Sequence, residues 1–226
     1  RLVHNSAVQG AKLSGAALQT FPHNDWEAVD SILSANRRRY ERVLIVVEGV
    51  YSMDGDICPL DRLVDIRQRH RALLMVDEAH SMGMLGETGR GIGEHFGLPG
   101  DAVDVWMGTL SKTFAGCGGY VAGSAALVEL LKFTAPGFVY SVGMPPPIAA
   151  AAEAAISAML SEPERVARLK ANGKLFFELA QAKGLSTGHA QGLNIIPVIV
   201  GRSVLAAKLS TVLFERGVNV QPIIYP

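Results

Sequence analysis

The sequence predicts an α/β fold in which helices pack on a mostly parallel β-sheet. Short apolar runs rich in β-branched residues alternate along the chain with helical patterns, which is typical of parallel strands joined by helical crossovers. The runs are nearly continuous, as expected of strands buried on both faces. Polar side chains follow several of them, and in such sheets ligands bind at the carboxyl ends of the strands.

Four strands are predicted before residue 130, and they cover residues 43–47, 73–76, 103–107 and 119–122. A helix should begin at 58–60 and end near Arg71, because apolar residues recur there at helical spacing: Leu60, Leu63, Val64 and Ile66. The glycine-rich segment 83–97 is predicted to be an exposed loop with at most a short helix.

The pattern changes after the proline run at 145–147. A long helix is predicted for 148–183, broken near Glu162-Pro163, and it is followed by a strand, a helix and a strand at 195–200, 203–216 and 218–221. We therefore expect a large domain over residues 1–160 and the start of a small α+β domain over 161–226. The sequence opens without methionine and stops in mid-pattern, so we expect both domains to be truncated.

Composition narrows the class of protein. The 21 basic and 21 acidic residues give a net charge of zero, and the cluster at 37–39 is best interpreted as the polar end of a helix, so nucleic-acid binding is not expected. No apolar run reaches the roughly 18 residues of a membrane span. Cys58 and Cys117 lie far apart without metal-binding spacing, so we expect no metal site and two reduced, packed thiols in a cytoplasmic protein.

An acid and a lysine follow neighbouring predicted strands. The run 73–76 leads into Asp77, and the run 103–107 leads to Lys112 through Thr109 and Ser111. A pyridine-aldehyde cofactor needs this pair, because the acid keeps the ring nitrogen protonated and the amine forms an imine with the aldehyde. Hydroxyls and glycines around the lysine suit a phosphate. The pattern therefore predicts pyridoxal 5′-phosphate (PLP).

Alternative interpretations exist for these residues. The sequence Asp-Glu-Ala-His at 77–80 also resembles the acidic box of helicases, but a glycine-rich Gly-Lys-Ser/Thr loop is absent upstream. A lysine after a strand is commonly a solvated loop residue, and His80 or His4 could be ordinary structural histidines. His23 is predicted to be structural, bound to the turn at 24–25. The remaining histidines are expected at the surface: His70, His95 and His189.

Six motifs in order resemble one known family. They are His4-Asn5-Ser6, Phe21-Pro22-His23-Asn24-Asp25, Glu48-Gly49-Val50-Tyr51-Ser52-Met53-Asp54-Gly55-Asp56, Val76-Asp77-Glu78-Ala79-His80-Ser81, Gly108-Thr109-Leu110-Ser111-Lys112 and Tyr140-Ser141-Val142-Gly143-Met144-Pro145-Pro146. Over essentially the whole chain they resemble the α-oxoamine synthases, which are PLP-dependent transferases of fold type I. The motif at 48–56 distinguishes this family from fold-type-I aminotransferases.

The resemblance implies a role for each cofactor-site residue. Lys112 would bind the cofactor aldehyde covalently, and Asp77 would pair with the ring nitrogen. His80 would hydrogen-bond the phenolic oxygen, and His4 would stack on the ring.

Five more residues complete the implied site. Thr109 would contact the phosphate, with Ser111 as a weaker candidate. Ser52 would lie near the phenolic side of the ring, and Glu48 would order the site as a hydrogen-bond acceptor. Ser141 would reach the phosphate of a neighbouring subunit, because the family is typically a homodimer with shared active sites.

The implied activity is condensation of an amino acid with an acyl thioester of coenzyme A or an acyl-carrier protein, usually with loss of carbon dioxide. In it Lys112 would remove the proton from the amino acid Cα. An aminotransferase or Cα–Cβ lyase on the same fold, or a non-catalytic fragment, remains possible. The sequence does not identify the amino acid or the acyl chain.

The chain departs from the family in two respects. Val142 replaces a second hydroxyl residue that many members carry after the serine. The family's upstream glycine-rich phosphate loop and its downstream carboxylate-binding arginine are also absent, and we expect both beyond the ends of this chain.

Overall fold

A β-sheet lies at the centre of the fold, and helices pack against it. The structure, a computed structural model, describes residues 3–224, and in them a four-stranded sheet has the order β1-β2-β3-β4. The strands are β1 Leu44–Glu48, β2 Leu73–Asp77, β3 Val105–Thr109 and β4 Gly119–Gly123. The first three are parallel, and β4 is antiparallel to β3. The predicted fold class, α/β with a mostly parallel sheet, is confirmed.

Nine α-helices are described within these residues. They are α1 Asn5–Leu13, α2 Trp26–Asn36, α3 Leu60–His70, α4 Ile92–His95, α5 Ala125–Thr134, α6 Pro136–Val139, α7 Pro146–Ser161, α8 Pro163–Ala182 and α9 Ser203–Glu215. Short 3₁₀ turns lie at Arg37–Arg39 and Gly100–Ala102. The predicted long helix is therefore broken after Ser161, where Pro163 can begin a new helix but could not continue the old one.

Helix α3 is the crossover that makes β1 and β2 parallel. Its inward face carries three fully or nearly fully buried side chains, those of Leu60, Leu63 and Ile66. Basic residues in its last turn stabilise the helix, because they lie at the negative end of its dipole. The helix ends at Arg71, whose left-handed backbone (φ 49°) turns the chain into β2.

Two clusters of buried side chains support the sheet. The larger cluster lies among β1, β2, α2 and α3, and includes Val47, Leu74 and Val76 at 1% exposure or less. The smaller cluster joins Leu110 and Phe114, which follow β3, to residues of α7 and α8: Ala152, Met159 and Val166. The turn that carries Lys112 is therefore anchored on both sides by buried apolar residues.

In the segment 83–97 seven of the fifteen residues are buried and only four are exposed, so the prediction that it is an exposed loop is wrong. Met84, Leu85 and Ile92 are at most 3% exposed, and only the short helix α4 forms within it. Its glycines allow it to fold tightly against the rest of the chain: a Cβ at Gly83 would collide with the side chain of Thr113.

The two strands predicted in the tail, at 195–200 and 218–221, do not form. A strand requires a neighbour to pair its N–H and C=O groups, and apolar pattern alone does not supply one. In the first segment, Ile199 donates a single backbone hydrogen bond to Ser186 (2.8 Å). Helix α9 between the segments agrees with its prediction to within one residue. The division into domains 1–160 and 161–226 stays a prediction.

None of the helices described between residues 3 and 224 is both long enough and apolar enough to cross a membrane.

Candidate functional site

Two carboxylic acids meet at the carboxyl edge of the sheet. Glu48 ends β1, Asp77 ends β2, and the two are register partners, so their side chains project from the same face of neighbouring strands. They are 3% and 7% exposed. Glu48 Oε2 accepts a hydrogen bond from the backbone N–H of Ser52 (3.2 Å), and Asp77 Oδ1 accepts one from the N–H of Ala79 (2.9 Å).

The environment of Glu48 weakens its acidity. Burial, with a smaller contribution from the charge of Asp77, raises the pKa of Glu48 to about 7. The N–H groups of Ser52 and His4 and the charge of Lys112 act in the opposite direction. Its second oxygen, Oε1, is buried and has no hydrogen-bond partner in the described part of the chain. The charged form of Glu48 is therefore disfavoured relative to that of an ordinary glutamate.

A lysine and a pair of hydroxyls follow β3. Thr109 Oγ1 and Ser111 Oγ are 2.7 Å apart, and the N–H of Ser111 donates to Thr109 Oγ1 (3.2 Å). The exposed Lys112 comes next. The turn is closed by a hydrogen bond from the N–H of Leu110 to the carbonyl of Gly118 (3.0 Å). The arrangement presents two adjacent hydroxyls and an amine to solvent.

Two histidines lie near this lysine. Burial, together with the charges of Lys112 and His4, lowers the pKa of His80 to about 4. His80 is thus a neutral imidazole at pH 7, able to donate from one ring nitrogen and accept at the other. His4 is exposed at the N-cap of α1, where its ring accepts a hydrogen bond from the N–H of Ser6 (3.3 Å).

Most of the predicted site residues therefore converge. His4, Ser52, Asp77 and Lys112 all act on Glu48, and Thr109 and Ser111 share the turn of Lys112. Ser141 does not join them. It lies in the exposed segment between α6 and α7, where its hydroxyl accepts from the N–H of Gly143 (3.1 Å), and no described contact links it to the strand-end cluster.

Two residues beside the site had no predicted role. Glu78, 2% exposed, accepts hydrogen bonds from the hydroxyl of Ser81 and from the N–H of Ile92 (3.2 Å), and so ties together the two ends of the segment 81–92 that follows His80. The position of Glu78 directly after the buried strand β2 is the sequence feature that could have indicated a buried, hydrogen-bonded acid. Asn194 Nδ2 donates to the carbonyl of His80 (3.0 Å), a contact between residues 114 positions apart that no local pattern indicates.

Three smaller predictions are corrected. His23 contacts Asp56 (2.8 Å) rather than the turn that follows it. His70 is not a free surface residue, because its ring is partly buried against Asp30 (2.7 Å). Cys58 is buried as expected, but Cys117 is exposed; neither forms a disulfide.

The donor set fits pyridoxal phosphate. A buried carboxylate at a strand end, an exposed amine and two adjacent hydroxyls correspond to the ring nitrogen, the aldehyde and the phosphate of that cofactor. Between residues 3 and 224 no group of three or more His, Cys, Asp or Glu side chains could hold a metal ion. A cleft of about 750 Å³ lies elsewhere, between α8 and the segment 84–95, and its lining includes none of the predicted site residues.

The sequence matches the family model "Aminotransferase class I and II" over residues 1–226. The 8-amino-7-oxononanoate synthase of Symbiobacterium thermophilum is 44% identical over 225 residues, which cover 100% of this chain and 57% of that protein. The enzyme of the same name from Geobacter sulfurreducens is 43% identical over 226 residues, which cover 99% of this chain and 57% of that protein.

Solved structures of two enzymes are also similar to this chain. Serine palmitoyltransferase from S. paucimobilis superposes with a TM-score of 0.88 at 31% identity, over 97% of this chain and 56% of that one. An 8-amino-7-oxononanoate synthase from Francisella tularensis gives a TM-score of 0.84 at 32% identity, over 100% and 65%. These relatives confirm the predicted resemblance to the α-oxoamine synthases. The chain spans 57% of the length of the curated relatives described above.

The raised pKa of Glu48 predicts a pH-dependent contribution to stability. A carboxyl whose pKa is higher in the folded than in the unfolded state stabilises the fold below about pH 4.5, and this contribution is lost as the pH rises through about 7. The comparison is between the unliganded wild-type protein and Glu48→Gln. The difference between their free energies of unfolding, wild type minus variant, should fall by up to roughly 3 kcal/mol between pH 5 and pH 8. Urea unfolding at several pH values measures it. A difference that stays constant with pH would contradict the assignment.

The electrostatic contact between His80 and Lys112 predicts a second shift. The His80 ring resonances in NMR spectra of the unliganded protein, assigned by their absence in His80→Gln, should titrate near pH 4. In Lys112→Met the midpoint should move upward, because a nearby positive charge is removed. Lys132→Met, which removes a lysine from helix α5, is the control and should leave the midpoint unchanged. Equal midpoints in the wild type, Lys112→Met and Lys132→Met would show that the charge of Lys112 does not act on His80.

Proposed function

Because the chain belongs to the aminotransferase class I and II family, we propose that it forms the PLP-binding core of an enzyme that condenses an amino acid with an acyl thioester. The product would be an α-amino ketone, usually with release of carbon dioxide. The observation that carries the proposal is the convergence of Asp77, His80 and Lys112 at one edge of the sheet.

The cofactor would supply an electron sink for the charge left when a bond at the amino acid Cα breaks. Asp77 would hold its ring nitrogen by an ion pair, and Lys112 would attach it covalently. Neutral His80 would hydrogen-bond the phenolic oxygen, His4 would stack on the ring, and Ser52 would lie on the phenolic side.

The paired hydroxyls of Thr109 and Ser111 would receive the phosphate. Their 2.7 Å separation supports this role, because two hydroxyls that already contact each other can both turn toward one anion. Ser141 would bind the phosphate held by a second subunit. Glu48 would accept from the Ser52 N–H and keep that loop in place.

Lys112 would also move the substrate proton. Its neutral amine, when not bonded to the aldehyde carbon of the cofactor, would lie close to the amino acid Cα and could accept the proton from that carbon. The adjacent positive ring would favour the neutral amine. Asp77 would hold the ring in place through this step.

The names of the relatives support the substrate class. Proteins called 8-amino-7-oxononanoate synthase and serine palmitoyltransferase match the whole of this chain or nearly so. Both fit the condensation of an amino acid with an acyl thioester, carried by coenzyme A or by a carrier protein. The family name itself favours a second candidate, an aminotransferase, and a Cα–Cβ lyase or a non-catalytic protein would be further alternatives. The cytoplasmic location stays a prediction from the unpaired cysteines.

A second copy of the protein is the proposed partner. Phe133, Phe138, Tyr140 and Val142 extend from α5 and α6 into the following segment, and each is more than 60% exposed. A patch of this kind is unusual on a monomer. It adjoins Ser141, which would then serve the neighbouring active site.

The proposed activity predicts three linked results for the full-length protein. Addition of PLP should give a visible absorption band, and borohydride should then fix the cofactor on Lys112, as peptide mass spectrometry can show. An amino acid and an acyl thioester together should release free thiol. Lys112→Ala should lose the label and the thiol release, whereas Lys132→Ala should keep both. PLP binding without thiol release would favour the aminotransferase, and no PLP binding would favour the non-catalytic alternative.

The proposed dimer predicts a mass of two chains in solution. Light scattering on the full-length protein measures it. The double variant Tyr140→Asp, Val142→Asp should be monomeric, because charge at an apolar interface is costly. Tyr40→Asp, at an exposed tyrosine before β1, should remain dimeric. A monomeric wild-type protein would refute the proposal.

A further inference from the structure

A buried polar cluster joins the motif at 21–25 to the loop that carries Ser52. Asp56, 6% exposed, receives hydrogen bonds at Oδ2 from His23 Nε2 (2.8 Å) and Asn24 Nδ2 (2.7 Å). Asn24 Nδ2 also donates to the carbonyl of Ile57 (3.1 Å). We call residues 49–58 the Ser52 loop, and His23, Asn24 and Asp56 the clasp.

The clasp is fixed from the side of helix α2. Asp25 caps that helix by accepting from the N–H of Ala28 (2.8 Å), so the two clasp residues before it are tied to the start of a regular element. Asn24 has a left-handed backbone (φ 53°), which asparagine tolerates better than most residues. The His23 ring packs edge-on against buried Tyr51, with centroids 4.4 Å apart.

The Ser52 loop is shaped around Asp56. The N–H of Tyr51 donates to the carbonyl of Asp56 (3.1 Å), and the N–H of Gly55 donates to the carbonyl of Tyr51 (2.9 Å). Cys58 closes the base by donating to Gly49 (3.2 Å). Ser52 therefore lies in a tight turn between two fixed points, the clasp and the carboxylate of Glu48 that accepts its N–H.

The clasp is too polar to be explained by stability alone. Three of its buried atoms have no hydrogen-bond partner in the described chain: His23 Nδ1, Asn24 Oδ1 and Asp56 Oδ1. Incompletely satisfied buried polar groups cost free energy that an apolar contact would not. What the clasp provides is geometry, because two hydrogen bonds to a single carboxylate oxygen fix the loop in one orientation.

We propose that Asp56 and His23 are positioning residues whose clasp holds the Ser52 loop in the shape that presents Ser52 to the cofactor. The proposal rests on the proposed PLP site, although the clasp itself touches neither cofactor nor substrate. The motifs at 21–25 and 48–56 thus form one structural unit, in which the first maintains the second.

The experiment compares Asp56→Asn with Asp30→Asn in the full-length protein. Asp30 makes a matched contact, a histidine–aspartate hydrogen bond of 2.7 Å to His70. His70 ends α3 just before β2 begins, so this contact lies near the amino ends of the strands, away from the proposed site at their carboxyl ends. Without PLP, hydrogen exchange at the N–H groups of Ser52 and Gly55 should quicken on the order of tenfold in Asp56→Asn, because a charged hydrogen bond is lost. The Kd for PLP should rise on the order of tenfold as well. Asp30→Asn should change neither.

A pair of variants at His23 tests the hydrogen bond if Asp56→Asn does not fold. His23→Gln keeps a donor for Asp56 and should lie closer to wild type than His23→Ala in both exchange rate and PLP affinity. Equal losses in the two would mean that His23 only fills space, and would overturn the proposal.

The remaining outcomes also decide the matter. Unchanged exchange in Asp56→Asn would show that the clasp does not hold the loop. Faster exchange with an unchanged Kd for PLP would show that the loop's shape does not matter to the cofactor. A wild-type protein that binds no PLP would refute the proposed function and the clasp's link to the cofactor, while the exchange rates would still report whether the clasp fixes the loop.

Discussion

The parallel pairing of β1 with β2 is the constraint on which the site depends. It puts Glu48 and Asp77 side by side at the same buried edge, and helix α3 makes it possible by returning the chain to the start of the sheet. A shift of one residue in this register would turn one of the two acids to the opposite face of the sheet. The apolar residues that precede both acids, including Val47 and Val76, hold the register by their burial.

Two neighbouring carboxyl groups at a buried edge repel each other when both are charged, and burial adds to the cost of charging Glu48. The pKa of Glu48 is raised to about 7, since burial outweighs the N–H groups and the lysine that favour its charged form. His80 is neutral, so it adds no positive charge. Lys112 is the cation whose charge acts on both groups. A ligand that carries its own positive ring would be favoured beside Asp77, which is the physical basis for the proposed cofactor.

Lys112, His80 and Ser52 lie on loops that follow the strands, and different contacts fix each of these loops. The turn of Lys112 is anchored by the buried side chains of Leu110 and Phe114. The segment 81–92 that follows His80 is held by the buried carboxyl of Glu78. The Ser52 loop is held by the clasp and by Glu48. A rigid sheet with separately secured loops lets the chemistry of the site be precise although its residues come from distant parts of the chain.

Local pattern was enough for much of the fold. The four strands, α3, α9 and the break before Pro163 follow from runs and periodicity within a few residues, and the acids and lysine at the strand ends follow from their positions in those runs. Where the outcome depended on distant partners, the sequence was insufficient. The tail segment at 195–200 has a strand's composition but pairs with no strand among residues 3–224. Part of the glycine-rich segment 83–97 is buried by contacts that its composition does not reveal.

The sequence by itself determined the type and order of the elements and the identity of the chemical groups, because these depend on residues close together in the chain. Only the tertiary structure decided which groups meet. The contacts of His23 with Asp56 and of Asn194 with His80 span 33 and 114 positions, and the pKa values of Glu48 and His80 arise from burial that no short segment creates. Hydrogen bonds and charges act over a few ångströms in space, whatever their separation along the chain.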